Sequence, residues 1–161
     1  MISAGQKFPS VTIKQATPEG ITDVDPAALF AGKKVVVFAL PGAFTPTCSN
    51  QHLPGYVAKL PELQAQGVDL VACLSVNDAF VMKAWAEQHD ALGKIVMLAD
   101  GSAELSKALG IEADFSKFGM GVRAARGVIV VDDGVVTSID MEAPGKFEVS
   151  SAEACLLKLS K

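Results

Sequence analysis

The chain has 161 residues, of which 50% are hydrophobic and 20% are charged, and its net charge is −4. This length predicts a single domain spanning 1–161, with a core large enough to fold without disulfide bonds. The composition excludes a disordered chain. No basic run interleaved with aromatic residues is present, so we expect no nucleic-acid partner. The longest apolar run, around 34–40, is too short to cross a membrane.

The cysteines and the first residues indicate a reducing compartment. Residues 1–9 lack the basic flank and apolar stretch of a signal peptide, so we expect a cytoplasmic location. A removed transit peptide would leave no trace, which keeps an organellar location open. Cys48, Cys73 and Cys155 are spaced neither as a disulfide framework nor as a metal site. Free thiols of this kind are typical of a reducing environment.

The first half of the chain alternates strands with helices. Short strands are predicted at 11–14 and 21–24, around the turn signal Pro18-Glu19-Gly20. A β-branched run at 34–40 predicts a buried strand that ends before Pro41-Gly42. A short polar helix at 47–53 follows, and Pro54 begins a longer helix that reaches about Gln66.

The second half continues this alternation and ends in a hairpin. Apolar runs at 68–76 and 94–98 predict two more strands. The hairpin strands lie at 127–131 and 135–139, joined by Asp132-Asp133-Gly134. Three further helices are predicted: one capped by Asn77-Asp78 and running to His89, one at 100–109 before Gly110, and one at 152–159 after Ser150-Ser151 and Glu153.

The order of these elements predicts an α/β fold with a central mixed sheet flanked by helices. Helices between the early strands imply parallel crossovers, and the late hairpin adds an antiparallel edge. A thioredoxin-like fold satisfies the whole order. A flavodoxin-like sheet would share only its first half.

Cys48 is the strongest candidate for a reactive residue. It follows a buried strand and lies at the opening of a helix, where unpaired N–H groups and partial positive charge favour a thiolate. An ordinary thiol with a pKa of ~8.5 is only about 3% ionised at pH 7. A helix end contributes only about 1 kcal/mol toward stabilising the thiolate, so a reactive cysteine here needs a nearby cation as well. Arg123 and Arg126, the two arginines of the chain, precede a predicted strand and are the candidates.

An inert buried cysteine is the alternative interpretation, since free cysteines are usually packed in cores. The polar neighbours of Cys48 favour the reactive interpretation: Thr45, Thr47, Ser49 and Asn50. A Cys–His hydrolase pair is also conceivable, because His52 stands four residues later on the same helical face. The break at Pro54 favours a structural role for His52.

Pro41, Thr45 and Cys48 form a Pro-x-x-x-Thr-x-x-Cys pattern that resembles the peroxiredoxin family. The stretches 41–49, 52–55 and 71–80 resemble the type II, or peroxiredoxin-five-like, members. The resemblance covers nearly the whole chain. It implies a thioredoxin-like fold and a thiol-dependent reduction of hydrogen peroxide and alkyl hydroperoxides through a sulfenic acid. It also implies that no metal, haem or flavin is needed, and that the protein is a homodimer.

The resemblance also implies a role for each matching residue. Cys48 corresponds to the peroxidatic cysteine, and Thr45 to the residue whose hydroxyl bonds the thiolate and the peroxide. Pro41 corresponds to the residue that shields the thiolate from water. Counting back from the Asp-Gly hairpin places the active-site arginine at Arg126, with Arg123 as a supporting arginine.

Recycling of the oxidised cysteine needs a second thiol. Cys73 lies in a predicted core strand and is interpreted as a packing residue, although plant-like type II members carry a resolving cysteine at this spacing. Cys155 is predicted to pack in the last helix. Ser150 stands where animal members have their C-terminal resolving cysteine. We therefore expect an external reductant, either glutathione with glutaredoxin or thioredoxin.

Two rival functions differ from a peroxidase. The first is a thioredoxin-like binding or redox-sensing module without turnover, against which the combination of Thr45, Cys48 and Arg126 argues. The second is a thioredoxin-type oxidoreductase. Such enzymes use Cys-x-x-Cys, and Thr45 occupies the place of the first cysteine.

Overall fold

A seven-stranded mixed sheet forms the centre of the computed structural model, which describes residues 1–161. The strands lie in the spatial order β2-β1-β5-β4-β3-β8-β9, and β6 pairs with β7 in a separate two-stranded ribbon. Their bounds are β1 Ile13–Thr17, β2 Gly20–Val24, β3 Lys34–Leu40, β4 Leu70–Ser75, β5 Val96–Ala99, β6 Glu112–Asp114, β7 Val122–Ala124, β8 Gly127–Asp132 and β9 Val135–Met141.

The strand directions confirm the predicted mixed sheet. The central strands β3, β4 and β5 are parallel to one another, and β1 and β8 flank them in antiparallel pairing. The β8–β9 hairpin turns at Asp133 and Gly134, whose φ angles of 48° and 78° give the tight turn predicted from the Asp-Gly pair. The hairpin brings the residues before β8 beside the carboxyl end of β3.

Six helices cover the sheet, and none of them is long and apolar enough to cross a bilayer. A π-helical turn at Cys48–His52 runs directly into α2, and a short 3₁₀ turn lies at Ser116–Phe118. The helices are α1 Pro26–Phe30, α2 Leu53–Ala58, α3 Leu60–Ala65, α4 Ala79–Gln88, α5 Glu104–Leu109 and α6 Ala152–Leu159.

Alternation along β3 divides the interior into two apolar cores, one on each face of the sheet. Val36, Phe38 and Leu40 belong to the core that contains Tyr56 of α2, Trp85 of α4 and Cys155 of α6. Val35, Val37 and Ala39 belong to the other core, with residues of α1 and α5. Both Cys48 and Cys73 lie in the first core.

Several element boundaries differ from the predictions. The helix predicted from Pro54 to Gln66 is two helices that meet at Lys59, because Pro61 cannot continue an uninterrupted helix. The helix predicted from Asp100 begins at Glu104, since the Asp100 carboxylate accepts hydrogen bonds from the N–H groups of residues 105 and 106. Helix α6 is capped by Ser151 alone, while Ser150 bonds elsewhere.

Two elements were missed and one strand is displaced. Helix α1 begins at Pro26 and is capped by the Asp25 carboxylate, a start signal that is readable in the sequence. The β6–β7 ribbon is only three residues long on each side, which leaves no period to detect. Strand β1, predicted at 11–14, lies at 13–17, where its register with β2 is set by the turn at Pro18.

Candidate active site

Cys48 begins the π-helical turn that follows the loop after β3. The N–H of Leu53 donates to the Cys48 carbonyl five residues earlier, which widens this turn relative to an α-helix. Pro54 explains the widening, because proline has no N–H and its ring would press on the carbonyl of Asn50 in a regular helix. The helix therefore passes the proline without the predicted break, and Cys48, His52 and Tyr56 follow one another at intervals of four residues.

Arg126 makes a direct polar contact with the Cys48 thiol. Its Nη2 donates to Cys48 Sγ at 3.1 Å, and the cysteine has no exposed surface. The sheet register produces this contact, since Gly127 pairs with Ala39 and Arg126 therefore falls at the carboxyl end of β3. A guanidinium at this distance can stabilise negative charge that develops on the sulfur through a charge-assisted hydrogen bond.

His52 contacts the same arginine through the other guanidinium nitrogen. Arg126 Nη1 lies 2.8 Å from His52 Nδ1, and His52 Nε2 lies 3.0 Å from the carbonyl oxygen of Ser150. An arginine can only donate and a carbonyl can only accept, so Nε2 carries the proton and Nδ1 accepts. Burial, and then the charge of Arg126, lower the pKa of His52 from 6.5 to about 3. With both nitrogens committed, His52 cannot act as the base of a Cys–His hydrolase pair.

Arg123 holds the loop that precedes Cys48. Its Nη1 donates to the Pro41 carbonyl at 3.0 Å, and its Nε donates to the Met120 carbonyl at 2.9 Å. A side chain at position 42 would place its Cβ only 2.6 Å from Arg123 Nη1, so Gly42 is required for this approach. Arg123 therefore supports the position of Pro41, whereas Arg126 contacts the thiol.

Thr45 is half-buried, and its side chain bonds within its own loop. Its hydroxyl donates to the Gly42 carbonyl at 2.7 Å, so the expected donation to the Cys48 thiolate is not formed in this structure. The hydroxyl oxygen keeps its lone pairs for an incoming donor. The loop is further fixed by Asn77, whose side-chain oxygen accepts from the Ala43 N–H at 2.9 Å.

The other two cysteines occupy apolar surroundings. Cys73 lies fully buried in β4, and burial, followed by the nearby Cys48, raises its pKa well above the usual range of a thiol. Burial also raises the pKa of Cys155, in α6, to about 11. The structure thus places Cys73 in the same core as Cys48 without giving it a stabilising polar partner. No three acidic, histidine or cysteine side chains cluster as a metal site would require.

The sequence analysis did not identify the residues that hold the Arg126 side chain in position. His52 was interpreted as structural, and Ser150 was considered only as a replaced cysteine and a cap. Tyr56 was considered only as part of a helical apolar face, and Glu142 was not considered. The spacing of four residues from Cys48 could have identified His52. Glu142 and Ser150 carry no local signal, because they reach the site only through the fold.

Comparison with known proteins identifies relatives over nearly the whole length. The redoxin family model matches residues 3–156. Chloroplastic peroxiredoxin-2E-2 of Oryza sativa subsp. japonica is 49% identical over 98% of this chain and 72% of its own length. Peroxiredoxin-2B of Arabidopsis thaliana is 48% identical over 82% of each chain.

Two solved structures that are similar to this chain are peroxiredoxins as well. Reduced Prx3 from Vibrio vulnificus, in complex with hydrogen peroxide, is 54% identical, with a TM-score of 0.94 over 99% of each chain. Peroxiredoxin 5 from Alvinella pompejana is 34% identical, with a TM-score of 0.87 over 99% of each chain. This chain therefore belongs to the redoxin family and is a type II peroxiredoxin, a thiol peroxidase with a thioredoxin-like fold.

Proposed function

We propose that Cys48 is the peroxidatic residue and that it reduces hydrogen peroxide and alkyl hydroperoxides. The contact of 3.1 Å between Arg126 Nη2 and Cys48 Sγ carries this proposal. The thiolate attacks one peroxide oxygen in line with the O–O bond, so that an S–O bond forms and the O–O bond breaks. The second oxygen leaves as hydroxide or alkoxide and takes a proton, and Cys48 becomes a sulfenic acid.

Charge moves from sulfur to oxygen in this step, and fixed donors stabilise that movement. Arg126 donates to the thiolate and then to the leaving oxygen as the negative charge moves between them. The Cys48 backbone N–H is a second donor. Thr45 is proposed to bond the peroxide, turning its hydroxyl away from Gly42. Pro41, held by Arg123, shields the thiolate from water. Because Cys48 has no exposed surface, the peroxide enters only when this loop moves.

An external thiol is proposed to reduce the sulfenic acid, with glutathione and glutaredoxin as the first donor and thioredoxin as the second. The surroundings of the other cysteines support this choice. A thiol with a pKa of about 11, as at Cys155, is ionised to only about one part in 10⁴ at pH 7. Burial keeps Cys73 protonated as well. A protonated thiol is a poor nucleophile toward the sulfenic acid.

A homodimer is proposed from two exposed aromatic side chains that follow the strands on either side of the site. Phe44 is 50% exposed and Phe80 is 76% exposed, and they follow the neighbouring parallel strands β3 and β4. A second copy of the chain would cover both rings. The Phe80→Glu variant should then sediment as a monomer at concentrations where the unmodified chain sediments as a dimer, and equal sedimentation of the two would refute this interface.

A reducing compartment is proposed for the protein, the cytoplasm first. Three free cysteines support it. The plant relatives named chloroplastic and mitochondrial suggest an organelle as the alternative. Fractionation of the source cells, followed by immunodetection of the chain, would distinguish the two.

The mass of the protein after peroxide treatment tests the proposed intermediate. With peroxide alone, we expect one added oxygen at Cys48. With glutathione present, we expect one glutathione at the same residue. A module that only senses peroxide would show the same adduct without sustained peroxide consumption, so the consumption assay with excess glutathione and glutaredoxin must accompany the mass measurement. An adduct on Cys73 or Cys155 instead would refute the assignment of Cys48.

A further inference from the structure

The loop between β9 and α6, residues 142–151, is folded back on itself by one carboxylate. Glu142 accepts hydrogen bonds from the N–H groups of Glu148, Val149 and Ser150 at 2.8–2.9 Å, and from the Ser150 hydroxyl at 2.6 Å. Partial burial alone would raise the pKa of Glu142, but the bonds from Ser150 and its neighbours outweigh it and lower the pKa. Glu142 is therefore the anchor of this loop.

The anchored loop presents one buried carbonyl to the helix of Cys48. The Ser150 carbonyl oxygen accepts from His52 Nε2 at 3.0 Å and from the Tyr56 hydroxyl at 2.8 Å. Ser150 has no exposed surface. The position of this single oxygen decides which nitrogen of His52 carries the proton and how its ring is turned.

The orientation of His52 in turn decides the orientation of Arg126. Nδ1 of His52 accepts from Arg126 Nη1 at 2.8 Å, which leaves Nη2 directed at the thiol. Phe147, from the same loop, packs on both partners, with its ring centroid 5.1 Å from that of His52 and 5.8 Å from Arg126 Cζ. The N–H of Glu142 also donates to the Arg126 carbonyl at 2.9 Å. The loop thus fixes both the backbone and the side chain of Arg126.

We propose that Glu142 is a positioning residue for the thiolate of Cys48, acting through Ser150, His52 and Arg126. This inference rests on the proposed role of Cys48 and Arg126. Glu142 touches neither the thiol nor the peroxide. Removing its charge releases the Ser150 carbonyl, lets the His52 ring turn, and withdraws the acceptor that His52 Nδ1 offers to Arg126 Nη1. A donor displaced by about 1 Å from its working geometry costs up to roughly 10²-fold in rate.

The direction of the change separates positioning from a direct charge effect. Glu142 is an anion, so its removal would by Coulomb attraction and repulsion alone favour the Cys48 thiolate. Loss of positioning does the opposite, since the guanidinium no longer faces the sulfur. We therefore expect Glu142→Gln to move the pH midpoint of Cys48 alkylation by iodoacetamide upward, and to slow oxidation by hydrogen peroxide by roughly 10-fold or more.

Glu148→Gln is the matched control. Glu148 lies in the same loop, is exposed, and loses the same charge without touching the Ser150 carbonyl. It should change both measurements by less than twofold. Ser150→Ala removes one of the four bonds to Glu142 and keeps the carbonyl, so it should shift both in the same direction as Glu142→Gln but less. Because Ser150→Ala keeps most of the loop's bonds, it tests the proposal even if Glu142→Gln fails to fold.

The alkylation and oxidation of each cysteine are followed by peptide mass, with thermal unfolding measured in parallel. The positioning role is refuted if Glu142→Gln matches Glu148→Gln, if its alkylation midpoint falls, or if only its unfolding temperature changes. If Glu142→Gln does not fold, an unshifted Ser150→Ala refutes it. Failure of the proposed function would look different, because the unmodified chain itself would then not be oxidised at Cys48.

Discussion

Cys48 and Cys73 are both fully buried in the same apolar core, yet their surroundings differ. Cys73 stands within β4, and no charged side chain donates to it, so burial raises its pKa. Cys48 stands at the start of a helical turn, and Arg126 donates to its sulfur at 3.1 Å. Exposure therefore does not distinguish the proposed reactive thiol from a packing thiol in this protein. The fixed cation does.

Replacing Cys48, compared with replacing a packing thiol such as Cys155, should produce the largest difference in turnover. Cys48→Ser should abolish peroxidase turnover, because no other thiol of the chain accepts a hydrogen bond from a cation. Peroxide consumption with excess glutathione and glutaredoxin measures this. Cys155→Ser should keep nearly the full rate. Substantial turnover in Cys48→Ser, or a loss of more than tenfold in Cys155→Ser, would contradict the comparison.

Removing the cation should make the Cys48 region behave more like the Cys73 region. Arg126→Ala should slow oxidation of Cys48 by at least ~10²-fold, the scale for one lost charge-stabilising donor. Arg126→Lys should rescue poorly, since an ammonium cannot contact Cys48 and His52 with two parallel donors. Stopped-flow oxidation measures both variants.

Arg123→Ala is the control for this prediction, because Arg123 donates to the main-chain carbonyls of Pro41 and Met120 and not to the thiol. Its effect should be smaller. If Arg123→Ala proved the damaging change and Arg126→Ala the mild one, the assignment of the two arginines would be reversed.

A third difference is that the Cys48 region holds a neutral histidine, which should appear in the pH dependence of stability. The folded state keeps His52 unprotonated down to a pKa of about 3, whereas the unfolded chain binds a proton below pH 6.5. Stability is therefore lost as the pH falls through this window. The His52 contribution should be about 2 kcal/mol smaller at pH 5 than at pH 7.

Urea unfolding of the original chain and of His52→Gln at both pH values tests this prediction. Glutamine keeps one donor and one acceptor but does not titrate. The original chain should lose about 2 kcal/mol more than the variant between pH 7 and pH 5. Equal losses would show that His52 titrates normally in the folded protein.

The smallest effect is expected when Cys73 and Cys155 are both replaced, because neither is proposed to take part in recycling. The double variant Cys73→Ser, Cys155→Ser should still turn over with glutathione and glutaredoxin. Chain mass after peroxide and glutathione should show one glutathione at Cys48. A quantitative Cys48–Cys73 disulfide in the original chain, with turnover lost in the double variant, would show instead that an internal disulfide recycles the enzyme.

Residues that are adjacent in the chain made the candidate site predictable. Pro41, Thr45 and Cys48 lie within one loop and one turn, so the candidate thiol and its helix start were identified together, and the resemblance to the peroxiredoxin pattern implied the shielding role of Pro41. The hairpin at Asp133-Gly134 was equally local, and it set the count that led to Arg126. The order of strands and helices along the chain followed from the alternation of apolar runs and breakers, apart from the short β6–β7 ribbon and α1.

The tertiary structure alone decided how the cation is held. Arg126 meets Cys48 because β8 pairs with β3 in one register, and neither strand shows that register by itself. Glu142 and Ser150 act on a histidine some ninety residues earlier through a main-chain carbonyl, a group that every residue possesses. The Cys48 motif is local because its residues lie within one loop and one helical turn. The support for Arg126 is non-local because a half-buried guanidinium takes its acceptors from several elements at once.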